Sequence, residues 1–443
     1  MSLPRYPEYK DSGVDWLKKV PAHWQVEPLK RRYAVVGGST PKSDVQEYWD
    51  GDINWVTPAD LSRLSGFEIR DSLRTITEAG LQSCGTSLVP SGSLILSTRA
   101  PIGSLGLATM ELCTNQGCKA LVPRSGELSR FAAYAMSIAG PALNVRGKGT
   151  TFLELSGDEL ASFRLAFPRR EEQAAIVTFL DRETARIDVL IAEQEKLLAL
   201  LAEKRQATIS HAVTRGLDPD APMKDSGIPW LGEVPAHWEV RRLKTLSPAI
   251  TVGIVVNPSS YVSPSGLPFV YGGDIREGHI SVEGCRRIEP EDSDKQPKTR
   301  LQAGDLLTVR VGAPGVTAVV PDECEGGNCA SVMLIRRGEF DSDWLCFAMN
   351  SRSVRFQVEV VQYGAAQEQF NISHAINFWV ATPPRDEQRR LANSLNATAD
   401  RIDELCAEAT NAIKLLVERR SALIAAAVTG QIDVRGVVGS KAA

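Results

Sequence analysis

Residues 10–30 read KDSGVDWLKKVPAHWQVEPLK, and residues 224–244 read KDSGIPWLGEVPAHWEVRRLK, the same phrase displaced by 214 positions. A looser match then links residues 172–218 with 387–433 at a displacement of 215, anchored by Ile187-Asp188 with Ile402-Asp403 and by Ala212-Val213-Thr214 with Ala427-Val428-Thr429. Two matches in the same order and spacing mark an internal duplication. A solenoid needs three or more short repeats, so two long ones predict two domains related by a pseudo-twofold axis. Each half opens on the same entry phrase, runs through about 130 dissimilar residues, and closes on the same helical pattern.

The closing segments have the spacing of coiled-coil helices. In the first, Leu180, Ile187, Leu190, Leu197 and Leu201 fall on an a/d seam; in the second, Leu395, Ile402, Leu405, Leu416 and Leu423 do so. Gln194 and Ala409 occupy corresponding a positions, where a polar or small residue fixes register. Neither segment contains Pro or Gly until Gly216 and Gly430 end them, which gives rods of roughly 60 Å at 1.5 Å per residue. The competing reading, the buried face of an ordinary core helix, fits their length poorly.

The dissimilar stretches contain short β-rich runs bounded by Gly, Pro, Ser and Asp, such as residues 52–57, 94–98, 268–271 and 306–311, so they read as α+β globules. In each, a strand leads into a Gly/Pro loop that carries an arginine: GSLILSTRAPIG with Arg99, and GDLLTVRVGAPG with Arg310.

Composition narrows the function. A length of 443 residues exceeds a single core, and no apolar run approaches the length of a membrane helix. The start has no apolar leader, which predicts a cytoplasmic protein. Eight cysteines are too few for a disulfide scaffold. Cys113/Cys118 and Cys324/Cys329 share one spacing, but neither pair has the neighbours that tetrahedral zinc requires, so small buried side chains and no metal are expected. The net charge is −4, and residues 1–160 carry 17 basic and 17 acidic side chains, so any DNA affinity must come from local patches and from partners.

With the KDSG-x2-WL-x2-VPAHW entries, the Gly-[Ser/Asp]-Leu loops at Gly92 and Gly304, the Glu-Gln openings at 172–173 and 387–388, and the AVTGQID ending at 427–433, the chain resembles the specificity subunits of type I restriction-modification systems. That resemblance implies an α+β fold with two target-recognition domains separated by two long antiparallel coiled-coil helices. The expected boundaries are 1–165 for the first domain, 166–216 for the first helix, 217–380 for the second domain and 381–443 for the second helix and tail. It also implies a non-catalytic chain that reads a bipartite, asymmetric site in double-stranded DNA. The expected partners are two modification (methyltransferase) subunits, which use S-adenosylmethionine, and restriction subunits, which use ATP and Mg; this chain itself would hold no cofactor.

Missing motifs agree with that expectation. Gly147-Lys148 has Ala142 where a phosphate loop needs glycine, and Pro383-Pro384 lacks the Asn/Asp-Pro-Pro-aromatic setting of an adenine methyltransferase. The alternatives are a coiled-coil scaffold that reads no sequence, or an enzyme in its own right.

Base reading calls for Arg or Lys at guanine and Asn or Gln at adenine. The candidates are Arg99, Gln116, Lys119, Arg146, Lys148 and Thr150 in the first domain, and Arg310, Gln362, Tyr363, Gln367 and Gln369 in the second. Trp24 and Trp238 read as packing residues of the entry phrase, and His23 and His237 as side chains that fasten backbone.

If the helices set the spacing of the two half-sites, inserting one heptad between residues 180 and 204 adds roughly 10 Å, or about three base pairs of B-DNA. The methylated motif should keep its half-sites and lengthen its spacer. A change of bases at constant spacing would show that the helices are not the ruler.

Overall fold

The computed structural model describes residues 3–99, 101–124, 127–148, 153–362 and 371–436. The chain divides into two compact units, Met1–Gln194 with Asn411–Ala443, and Glu195–Thr410. Each unit contains one globular domain, the beginning of one long helix and the end of the other, because the helices Arg170–Arg215 and Arg385–Val428 both cross the division.

In the first unit, a five-stranded sheet runs in the order Tyr33–Gly37, Cys118–Pro123, Leu94–Ser97, Leu105–Ala108, Glu68–Ile69. A three-stranded sheet places Trp49–Val56 between Cys113–Thr114 and Thr75–Ile76. The second unit repeats both, the first with one strand fewer. Four strands run Ile250–Val252, Met333–Ile335, Leu306–Thr308, Thr317–Val319, and Leu267–Tyr271 lies between Arg286–Ile288 and Asn328–Ala330. Apolar residues at consecutive positions explain why Leu94–Ser97 and Leu306–Thr308 are buried along their whole length: each is a central strand covered on both faces.

Each domain is closed onto its long helix by a two-stranded ribbon. Gln25–Pro28 pairs with Arg164–Phe167 in one unit, and Glu239–Arg242 pairs with Trp379–Thr382 in the other. The ribbon delivers the chain to a helix whose first turn is acidic, with Glu171 and Glu172 or Asp386 and Glu387, as the positive end of the helix dipole favours.

There the entry phrase closes a clamp. Glu172 accepts a hydrogen bond from Trp24 Nε1 at 3.0 Å and sits 2.8 Å from His23 Nε2, with Trp24 fully buried. Against the same indole lies Gly430, the left-handed residue (φ +71°) that ends the other long helix; a Cβ there would run into Pro21. The second unit repeats the arrangement: His237 Nε2 is 2.8 Å from Glu387, Trp238 is fully buried, and Gly216 (φ +78°) lies over it. Both tryptophans are thus packing residues, but the histidines hold a carboxylate where backbone was expected.

Within each unit the two helix segments run antiparallel. In the first, Ile176, Phe179 and Leu180 share a core with Ile424, Ala427 and Val428, while the later Asp188 pairs with the earlier Arg420 at 3.0 Å. In the second, Ile209, Ala212 and Val213 share a core with Leu391, Ala392 and Leu395, and the earlier Arg205 pairs with the later Asp403.

The seam departs from the expected one at three positions. Leu180, Ile187, Leu201, Leu395 and Ile402 are buried and Leu416 and Leu423 half-buried, whereas Leu190, Leu197 and Leu405 are exposed. Counting alternately four and three from Leu180 gives Thr184, Ile187, Ile191, Gln194, Leu198 and Leu201, all buried or half-buried. Apolar neighbours at 190/191 and 197/198 made the leucine one position early look equivalent. In the second helix Cys406 takes the seam position beside Leu405.

A further tie joins each domain to its helix, and here the copies differ. Arg130 Nε lies 2.8 Å from Asp181, and its guanidinium also pairs with Glu68, holding that carboxyl below its usual range. In the second unit Asp343 stands in the corresponding place, 3.4 Å from Asn396, and burial, reinforced by Asp341, raises its pKa.

Removing the clamp carboxylate should affect the two units unequally. Glu172→Ala leaves the Trp24 N–H buried without an acceptor, a loss of about 1–3 kcal/mol. Glu387→Ala removes only a half-exposed histidine contact, because Trp238 Nε1 has no hydrogen-bond partner among the described residues, and should cost less than about 1 kcal/mol. Chemical denaturation of the two variants reads the difference; equal losses would contradict it.

Candidate nucleic-acid interface

Three loops of the first unit meet along one edge. Thr98 N–H donates to Gly117 O at 2.8 Å, Leu155 N–H donates to Thr98 O at 2.9 Å, and Lys148 and Glu154 exchange backbone hydrogen bonds at 3.0 and 2.9 Å. This ladder collects Arg99, Gln116 and Lys148 on neighbouring loops. Arg99 Nη2 donates to both carboxylate oxygens of Glu154 at 3.0 Å. Lys148 Nζ lies 2.9 Å from Glu159 with its side chain 80% exposed, and holds the Glu159 carboxyl below its usual range. Arg146, half-buried at the end of the helix Gly140–Arg146, stacks over Phe163 at 5.1 Å. Gln116 is exposed and accepts from the Thr40 hydroxyl. Lys119 is half-buried in the strand Cys118–Pro123, opposite Gly37, two residues past Gly117, where one of the three loops runs into the strand. Thr150 lies outside the described residues.

The second unit forms its loop in the same way. Gly315 N–H returns to Val309 O at 2.9 Å as Gly103 N–H returns to Ser97 O at 3.1 Å. Matching these turns places Arg310 where the first copy has Thr98, and Val311 where it has Arg99, so the two arginines sit one residue apart in the same loop. Arg310 Nη2 donates to Asn371 Oδ1 at 3.2 Å, and burial lowers its pKa. Gln362 is half-buried at the end of the helix Arg352–Gln362. Tyr363, Gln367 and Gln369 lie outside the described residues.

Apolar groups that the sequence reading passed over also lie here. Val145, in the last turn of the helix Gly140–Arg146, is 86% exposed beside Arg146, and Val311 is 57% exposed beside Arg310 in its loop. A valine flanking a basic residue close to glycine was the available signal, and such a methyl surface suits a thymine methyl.

The cysteine pairs do not form matching sites. Cys113 lies in the strand parallel to Trp49–Val56, while Cys329 lies in the strand parallel to Leu267–Tyr271; the first member of one pair thus shares its strand position with the second member of the other. Burial pushes the Cys113, Cys118 and Cys329 thiols up to about 12 and Cys324 to about 11, which opposes thiolate ligation. Among the described residues no His/Cys/Asp/Glu group is arranged to hold a metal, and no helix is long and apolar enough to cross a membrane.

The chain thus repeats one clamp around two unlike inserts, with arginine-bearing loops at the domain edges. Residues 21–199 match the family described as type I restriction modification DNA specificity domain. By its motifs and over these residues, the chain is similar to the specificity subunits of the type I restriction-modification class. It is 31% identical over 271 residues to the MjaIX specificity subunit of Methanocaldococcus jannaschii, covering 59% of this chain and 60% of that protein. With the EcoBI specificity subunit of Escherichia coli it shares 23% identity over 338 residues, 73% and 70% of the two chains. The chain thus aligns with about three fifths of the first relative's length. The fold is that of the HsdS subunit from Thermoanaerobacter tengcongensis, at TM-score 0.54 and 17% identity over 93% of this chain and 98% of that one. A chain from a structural study of assembly and conformational transition in the type I R-M system gives TM-score 0.66 at 17% identity, covering 92% and 98%.

Replacing Arg99 by Ala should relax discrimination at one base of one half-site. Lys148→Ala should instead weaken binding to every duplex and flatten the slope of log K against log salt by about one unit. Both effects are read from one salt titration over target and non-target duplexes. Indifference of base preference to the Arg99 change would remove it from the interface.

Proposed function

We propose that this chain is the DNA-reading subunit of a type I restriction-modification assembly. Each of its two unlike domains reads one half of a split, asymmetric target. The observation that carries this reading is the same clamp built twice around loops of different chemistry: Arg99 with Glu154 in one copy, Arg310 with Asn371 in the other. A scaffold would have no use for divergent inserts between matched frames.

Catalysis belongs to the partners in this reading. Two modification subunits bring S-adenosylmethionine, and restriction subunits bring ATP and Mg, in the cytoplasm. Each unit leaves apolar side chains of its long helix exposed, Val189 and Leu190 in the first and Leu197 and Leu200 in the second, and each set offers a modification subunit a place to dock.

With a net charge of −4, the isolated chain releases few counterions on binding. It should therefore bind duplex DNA weakly and with a shallow salt slope, and gain at least about a hundredfold in affinity when modification subunits join it. Fluorescence anisotropy with and without those subunits tests this. Tight, sequence-specific binding by the lone chain at physiological salt would overturn the dependence on partners. A continuous palindromic methylation motif in the host genome would overturn the split-target reading.

A further inference from the structure

The two basic side chains that meet on the first domain's edge are held in opposite ways. Lys148 Nζ meets Glu159 from a flexible, 80% exposed stem, so its ammonium can leave that carboxylate and follow a phosphate. Arg99 is fixed. Its Nη2 donates to both oxygens of Glu154, and the Glu154 backbone is itself held in both directions by Lys148. Both members of the Arg99–Glu154 pair remain almost half exposed, at 44% and 42%, so one face of the guanidinium fork stays open to solvent.

Such a pair is poorly suited to phosphate. The carboxylate cancels the guanidinium charge, so docking it against the backbone would release almost no counterion, and it would bring a second negative charge towards the phosphates. A guanidinium with fixed orientation and remaining donors is well suited to the paired acceptors of guanine, where geometry matters more than net charge.

We propose that Glu154 is a positioning residue that makes Arg99 a base reader instead of a phosphate clamp. The proposal rests on the DNA-reading function set out above. In the second domain Val311 takes the place of Arg99, and Arg310, one residue earlier, donates to the Asn371 amide.

The signature is a trade that a merely structural role would not give. Glu154→Gln and Glu154→Ala free the Arg99 charge while loosening its aim. Full-length variants, co-purified with modification subunits, are selected against a randomised duplex library and titrated with salt on one fixed non-target duplex. Discrimination at a single base of the first half-site should fall by about tenfold. Non-target binding should tighten, and its salt slope should steepen by about one unit. The second half-site should be unchanged, and Glu154→Asp should restore part of the discrimination.

Unchanged base preference and salt slope in both variants would overturn the proposal, as would a parallel loss of target and non-target binding. If the unmodified protein enriches a split motif and the variants enrich it equally well, only the role of Glu154 falls. If the unmodified protein enriches no sequence, the DNA-reading function falls and this inference with it.

Discussion

The structure depends on a carboxylate at the start of each long helix. Glu172 and Glu387 are drawn to helix N-termini by the dipole, and there Glu172 engages the His23-Trp24 pair of an entry phrase that is distant in sequence, while Glu387 engages His237. Because the glycine that ends the opposite helix rests on the same tryptophan, one contact cluster fixes the beginning of one helix and the end of the other. Each domain then hangs from a two-stranded ribbon beside that cluster. The matched residues are therefore those that build this cluster: the Pro and Trp beside the glycine, the Glu that meets the His, and the glycine itself.

This explains what the sequence made legible. Residues that serve the clamp recur with the fold, so self-comparison alone exposed the two frames, the long helices and their glycine ends. The seam was readable only to within one residue, because Leu190/Ile191 and Leu197/Leu198 each offer two apolar side chains, and burial of the second follows from the three-dimensional run of the 4-3 spacing. The role of His23 was misjudged because a carboxylate 149 residues away leaves no local trace.

The interface was legible as loops and not as partners. A Gly/Pro loop with an arginine pointed to Arg99 and Arg310, and the matched turn hydrogen bonds fix the one-residue offset between them that the two phrases already carry. Glu154 carried no signal of its own, since an acidic residue in a basic loop reads as ordinary surface. Tertiary pairing gives it meaning: it changes what the neighbouring arginine can recognise.

The unequal ties between domain and helix bear on how such a chain can diversify. Two frames this similar invite exchange of whole inserts by recombination between the two copies. The clamps would accept either insert. The tie at Arg130 would not treat the two directions alike. Moved into the second frame, Arg130 would meet Asn396, a neutral neighbour that accepts its hydrogen bond. Moved into the first, Asp343, already short of a cationic partner, would face Asp181 and bring two carboxylates together. Shuffling of this architecture is thus open in one direction and opposed in the other by a single side chain.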